Sequence, residues 1–93
     1  QYLDYWNEAD SSWNDIIDST TILNPMQGYS AKKENYYTAT YDGVFNTGNQ
    51  SFTLSYTNQN ASFGDGWNLI GNPYPSSIDW SLVTIPTGMN AGV

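Results

Sequence analysis

Residues 51–57 read Ser-Phe-Thr-Leu-Ser-Tyr-Thr, and this alternation constrains the chain more than any other feature. Phe52, Leu54 and Tyr56 fall on one face, with Ser51, Thr53, Ser55 and Thr57 on the other. A period of two is the signature of a β-strand with one apolar and one wet face. No long helix is indicated anywhere in the chain, and the expectation is a fold built from strands. Tyr36–Tyr41 is a second β-rich run, and the turn-dense Asp42–Asn49 joins it to the first. The pair predicts an antiparallel hairpin with a wide or bulged connection.

The rest of the chain supplies further strands. Gln1–Trp6, Tyr29–Lys33 and Trp67–Gly71 each read as a short strand bounded by polar or glycine-containing turns, and Trp13–Ile17 as a short strand or an irregular piece. Asn72-Pro73-Tyr74-Pro75 ends the ladder, because proline lacks an N–H and fixes φ. Ser76, followed three residues later by Asp79, predicts an N-cap and at most one short helical turn near 76–83. Some six short strands with frequent turns predict an all-β fold, an antiparallel β-sandwich or jelly-roll-like arrangement over a single module, 1–93. Residues 84–93 are a tail or an inter-subunit strand.

Composition narrows function mainly by exclusion. Nine acidic residues face two basic ones, Lys32 and Lys33, for a net charge of −7. Such a chain has no basic surface for phosphates, which excludes nucleic acid as a partner. No apolar run approaches the roughly 18 residues that insert in a bilayer. With neither Cys nor His, thiolate chemistry, His-based acid–base catalysis and Cys/His zinc sites are all unavailable. The acids Glu8, Asp10, Asp15 and Asp18 match no EF-hand spacing, and no carboxylate pair stands out for glycoside hydrolysis. The expectation is a protein that is not an enzyme and holds no metal or cofactor. Aromatics at 16% against charged residues at 12% fit an exposed extracellular β-domain, whose thin core leans on large rings.

One segment carries a resemblance: Gly66-Trp67-Asn68-Leu69-Ile70-Gly71-Asn72-Pro73-Tyr74-Pro75-Ser76-Ser77-Ile78-Asp79-Trp80. It resembles β-sandwich modules of Bacteroidota secreted and cell-surface proteins, commonly those exported by the type IX route. Asn24-Pro25-Met26-Gln27-Gly28-Tyr29 and Asn46-Thr47-Gly48 stand where those modules carry a glycine–tyrosine element and an Asn-Thr-Gly turn. Tyr5-Trp6-Asn7-Glu8, followed by Trp13, is similar to their start. The resemblance implies a bacterial cell-surface or extracellular location and a structural or adhesive role. It also implies strands beyond Trp80, so that either the unit is cut short or the missing pairing comes from other copies of the chain or adjacent modules. Gln1–Trp6 and Thr84–Val93 are the candidate donor strands for such a filament or stalk.

The residues also have a reading independent of any family. Gly66, Trp67, Leu69, Gly71, Asn72, Pro73, Tyr74, Pro75, Ile78, Asp79 and Trp80 form a rigid corner. Trp67 and Leu69 are expected inward, Gly71 admits a close backbone neighbour, and Ile78 and Trp80 cap the core. The alternative function is carbohydrate binding, with Trp6, Trp13, Tyr36, Tyr37, Tyr74 and Trp80 as a candidate sugar platform. Asn49 and Asn60 begin N-x-Ser patterns and are candidate glycan-attachment sites. Ser19 and Thr20 follow Asp18 in a pattern similar to the O-glycosylation signal of the same bacterial group.

Overall fold

In the computed structural model, residues 2–36, 38–59 and 64–90 are described. Their regular core is one three-stranded antiparallel sheet of order β2-β1-β3. β1 runs Tyr2–Asn7, β2 Ser12–Asp15 and β3 Tyr29–Lys32. A 3₁₀ turn at Glu8–Asp10 joins β1 to β2, with Asn7 as N-cap accepting from the Ala9 N–H at 3.2 Å. Asn7 also donates to Asp10, so the turn is stitched at both ends by side chains. In register, Trp6 stands opposite Trp13 and Asp4 opposite Asp15 across β1–β2. The two indoles meet edge to face, centroids 5.6 Å apart at 74°.

The remainder is held mostly by side chains reaching backbone. At residues 26–28 and 69–71 two segments meet as a single antiparallel bridge, Gln27 opposite Ile70. Gly28 N–H donates to the Leu69 carbonyl at 3.0 Å and Gly71 N–H to the Met26 carbonyl at 2.7 Å. A second 3₁₀ turn, Trp80–Leu82, is capped by Asp79. The cap expected at Ser76 therefore belongs to Asp79, whose carboxylate accepts from both Ser81 N–H and Ser81 hydroxyl.

Several expected strands form no ladder. Ser51–Thr57 alternates in burial only as far as Ser55, with Phe52 and Leu54 half-buried and Ser51, Thr53 and Ser55 exposed; Tyr56 is then exposed and Thr57 half-buried, and among the described residues the segment has no backbone partner. The hairpin with Tyr36–Tyr41 is absent among the described residues. The reason lies in the connection: Asn46 donates to the Pro73 carbonyl at 2.8 Å and Tyr74 hydroxyl to the Gly48 carbonyl at 2.6 Å. The Asn-Thr-Gly turn is thus drawn to the Asn-Pro-Tyr-Pro corner and away from a hairpin. The fold is all-β, and the described residues make one sheet instead of two packed ones.

No apolar side chain among the described residues is buried. Trp67 is 62% exposed, and Leu69, Ile78 and Trp80 are also at the surface, so the expected inward packing of that motif does not occur. The chain exposes 7989 Å², against about 5,400 Å² for a compact protein of its mass. Its radius of gyration, 15.0 Å, exceeds the roughly 12 Å of a compact chain of this length.

Candidate functional site

The one buried polar side chain among the described residues is a carboxylate, that of Glu8, 5% exposed. It follows β1 directly, so the sheet fixes its position. Oε1 accepts from Thr57 N–H at 2.6 Å and Gly66 N–H at 3.0 Å, and Oε2 accepts from Thr57 hydroxyl at 3.0 Å. Burial opposes ionisation and is the largest single influence on this group. Hydrogen bonds from the Thr57 and Gly66 amides and the Ser55 and Thr57 hydroxyls outweigh it, and the carboxyl is held below the usual glutamate range. Gly66 reaches the carboxylate with φ +75, and a Cβ there would lie 2.6 Å from the Tyr56 ring. Glycine is therefore required on both counts.

Asn68 makes the next link. Its side chain accepts from Ser55 N–H at 3.1 Å and donates to the Ser55 carbonyl at 2.9 Å. A carboxamide thus imitates the two bonds a neighbouring strand would exchange with Ser55. Ser55 faces Asn68 and Thr57 is tied through Glu8 to Gly66, so the two segments lie in antiparallel register with side chains between them. Trp6 completes the contact, its indole N–H donating to the Trp67 carbonyl at 2.8 Å. Between these groups lies a cleft of about 170 Å³ walled by Tyr5, Trp6, Phe52, Trp67 and Leu69.

The corner itself is braced by Asn72. Its Oδ1 accepts from Tyr74 N–H at 3.0 Å and its Nδ2 donates to the Ser76 carbonyl at 2.7 Å, which closes a turn whose prolines offer no N–H. At Gly71 a Cβ would lie 3.0 Å from the Gln27 carbonyl oxygen, so the two backbones approach closely there. The structure thus brings the segments around Gly28, Asn46–Gly48 and Trp67–Tyr74 to one locus, tied to β1 through Glu8 and Trp6.

The candidate sugar platform is dispersed. Trp6 and Trp13 touch, but edge to face, which offers no flat surface. Tyr36 is fully exposed, Trp80 is 36% exposed, and Tyr74 is half-buried with its hydroxyl engaged by Gly48. Tyr37 lies outside the described residues. Of the candidate attachment sites, Asn49, Ser19 and Thr20 are exposed, and Asn60 lies outside the described residues. Thr20 hydroxyl donates to Asp18 at 2.7 Å, and the Thr20 amide and hydroxyl together hold the Asp18 carboxyl low.

Two features escaped sequence reading. Glu8 sits in a polar turn, where acids are normally solvated, and only its place in Tyr5-Trp6-Asn7-Glu8 hinted at more. The opposition of Asp4 and Asp15 follows from register, which no local pattern fixes. Hydrogen bonding to Asp15, then burial, then its charge raise the Asp4 carboxyl above the usual range. Among the described residues no three acids converge on a metal-sized site.

The model of one family, described as a domain of unknown function (DUF8693), matches residues 1–88. No curated protein and no solved structure matches the chain.

Proposed function

The chain belongs to that family, and from this premise we propose that it is a non-catalytic structural or adhesive module of a secreted or cell-surface bacterial protein. In this reading its β-structure becomes a sandwich or jelly-roll-like arrangement when strands from neighbours, other copies or adjacent modules, are added. The observation that carries the reading is the missing core. Ile17, Ile22 and Val44 are each more than nine-tenths exposed, while no described apolar side chain is buried. The surface in excess of a compact protein, about 2,600 Å², is the size that one partner of a large obligate interface contributes. The three hydrogen bonds that Glu8 accepts from Thr57 and Gly66 of its own chain support a structural role for that carboxylate. The convergence of the three motif segments supports the resemblance to Bacteroidota surface modules.

Multi-angle light scattering of the chain over a range of concentrations tests the proposal. Concentration-dependent association, with Trp67 becoming shielded from iodide quenching, is the expected result. A compact monomer at every concentration would overturn it. A Trp fluorescence response to one member of a soluble glycan panel would favour carbohydrate binding instead.

A further inference from the structure

Ser51–Thr57 has two edges, and only one is occupied. In a strand, successive residues direct their N–H and C=O to opposite edges. The groups of Ser55 and the N–H of Thr57 are taken by Asn68 and Glu8. The same repeat turns the backbone groups of Phe52, Leu54 and Tyr56 to the other edge. Among the described residues none of these three makes a hydrogen bond there.

Natural proteins protect such edges with charge or proline. The outer strands of the sheet comply: β2 carries Asp15 and β3 carries Lys32. Ser51–Thr57 does not. Residues 43–64 contain no charged residue and no proline, in a chain of net charge −7. A second copy meets electrostatic repulsion over most of this molecule, and least of it along this segment. β1 is not free to act as a donor strand, because β2 and β3 flank it on both sides.

We propose that Ser51–Thr57 pairs antiparallel with the same segment of a second copy, about a two-fold axis at Leu54. Phe52 then opposes Tyr56 of the partner subunit, and Leu54 opposes its own counterpart. These are cross-strand pairs of the favourable aromatic and aliphatic kind, on one face. The hydroxyl residues Thr53 and Ser55 pair on the other. All three open backbone positions are satisfied by this register at once. The inference rests on the reading of the chain as a self-assembling module and names the edge and the partner.

Residue-resolved amide exchange of the full chain at low and high concentration tests it. The amides of Phe52, Leu54 and Tyr56 are expected to slow by about tenfold or more on association. Those of Ser55 and Thr57, bonded within the chain, are expected to change little. Leu54→Pro removes a ladder donor from each copy at the axis and should weaken association at least about tenfold. Thr53→Lys changes an exposed side chain, leaves the fold intact by near-ultraviolet circular dichroism, and should weaken association by about threefold or more. Unchanged association of Thr53→Lys would overturn the proposal. Protection gained at β2 or β3 in place of Phe52, Leu54 and Tyr56 would overturn this edge while leaving the self-assembling module intact. A monomer at all concentrations would remove both.

Discussion

Gly71→Ala tests the contact on which the corner depends. The added Cβ would stand 3.0 Å from the Gln27 carbonyl oxygen, 3.5 Å from the Gln27 carbonyl carbon and 3.8 Å from Gly28 Cα. All three neighbours are backbone, so no rotamer change relieves the crowding. The segments must separate by a few tenths of an ångström, which lengthens the Gly71–Met26 and Gly28–Leu69 hydrogen bonds. Overpacking of this kind costs about 1–3 kcal/mol. Gly71 lacks a positive φ, so alanine also lowers the entropy of the unfolded chain, which offsets roughly 0.4–1 kcal/mol. The net expectation is a loss of about 1–2 kcal/mol. Urea unfolding followed by Trp fluorescence reads it as a midpoint lower by about 1 M. Amide exchange at Gly28 and Gly71 should quicken by more than at Leu3 or Tyr5. A variant as stable as the parent, with unchanged exchange at Gly28, would show that these backbones do not touch.

Other perturbations follow from the same geometry. Trp6→Phe removes the donor to the Trp67 carbonyl and part of the contact with Trp13, and should destabilise by about 1–2 kcal/mol in the same unfolding assay. Glu8→Gln keeps the shape but places an N–H₂ where donors point, so thermal unfolding should fall and the amides of Thr57 and Gly66 lose protection. Stability against pH should carry two opposed components. The lowered Glu8, Asp18 and Asp79 carboxyls stabilise above the ordinary carboxylate range, and that contribution is lost as pH falls through their folded values. The raised Asp4 works the other way: its contribution is full below the ordinary aspartate value and disappears as pH rises through its folded value. Asp4→Asn should therefore raise the melting temperature at pH 7 and give no gain at pH 3; equal gains at both would refute the opposition with Asp15.

The sheet was legible where strands are short, local and bounded by turns. β1 spans Tyr2–Asn7 and β2 starts at Ser12, close to the runs that composition and alternation mark. Ser51–Thr57 reads as a two-faced strand, and the structure keeps that pattern only as far as Ser55: Phe52 and Leu54 are half-buried, but Tyr56 is exposed, Thr57 is half-buried and no ladder forms. Its partner was not legible, because Asn68 and Glu8 stand where periodicity looks for another strand. Burial of Trp67 and Leu69 was expected from their apolar character, which says only that they are better off covered, not that this chain covers them. Side-chain-to-backbone contacts across 49 to 61 residues leave no local trace, and they hold this locus together.

Those same long spans bear on the order in which the molecule assembles. β1 and β2 need only a short turn to meet and can pair early. Glu8 lies at the end of that hairpin, yet its partners are 49 and 58 residues away along the chain. Closing loops of that length comes late and depends on the whole intervening segment. Until Gly66 has arrived, Glu8 is an ordinary hydrated acid. The carboxylate therefore serves as a latch: the N-terminal hairpin stays loosely attached to the remainder until the Gly66–Trp67 corner closes on it.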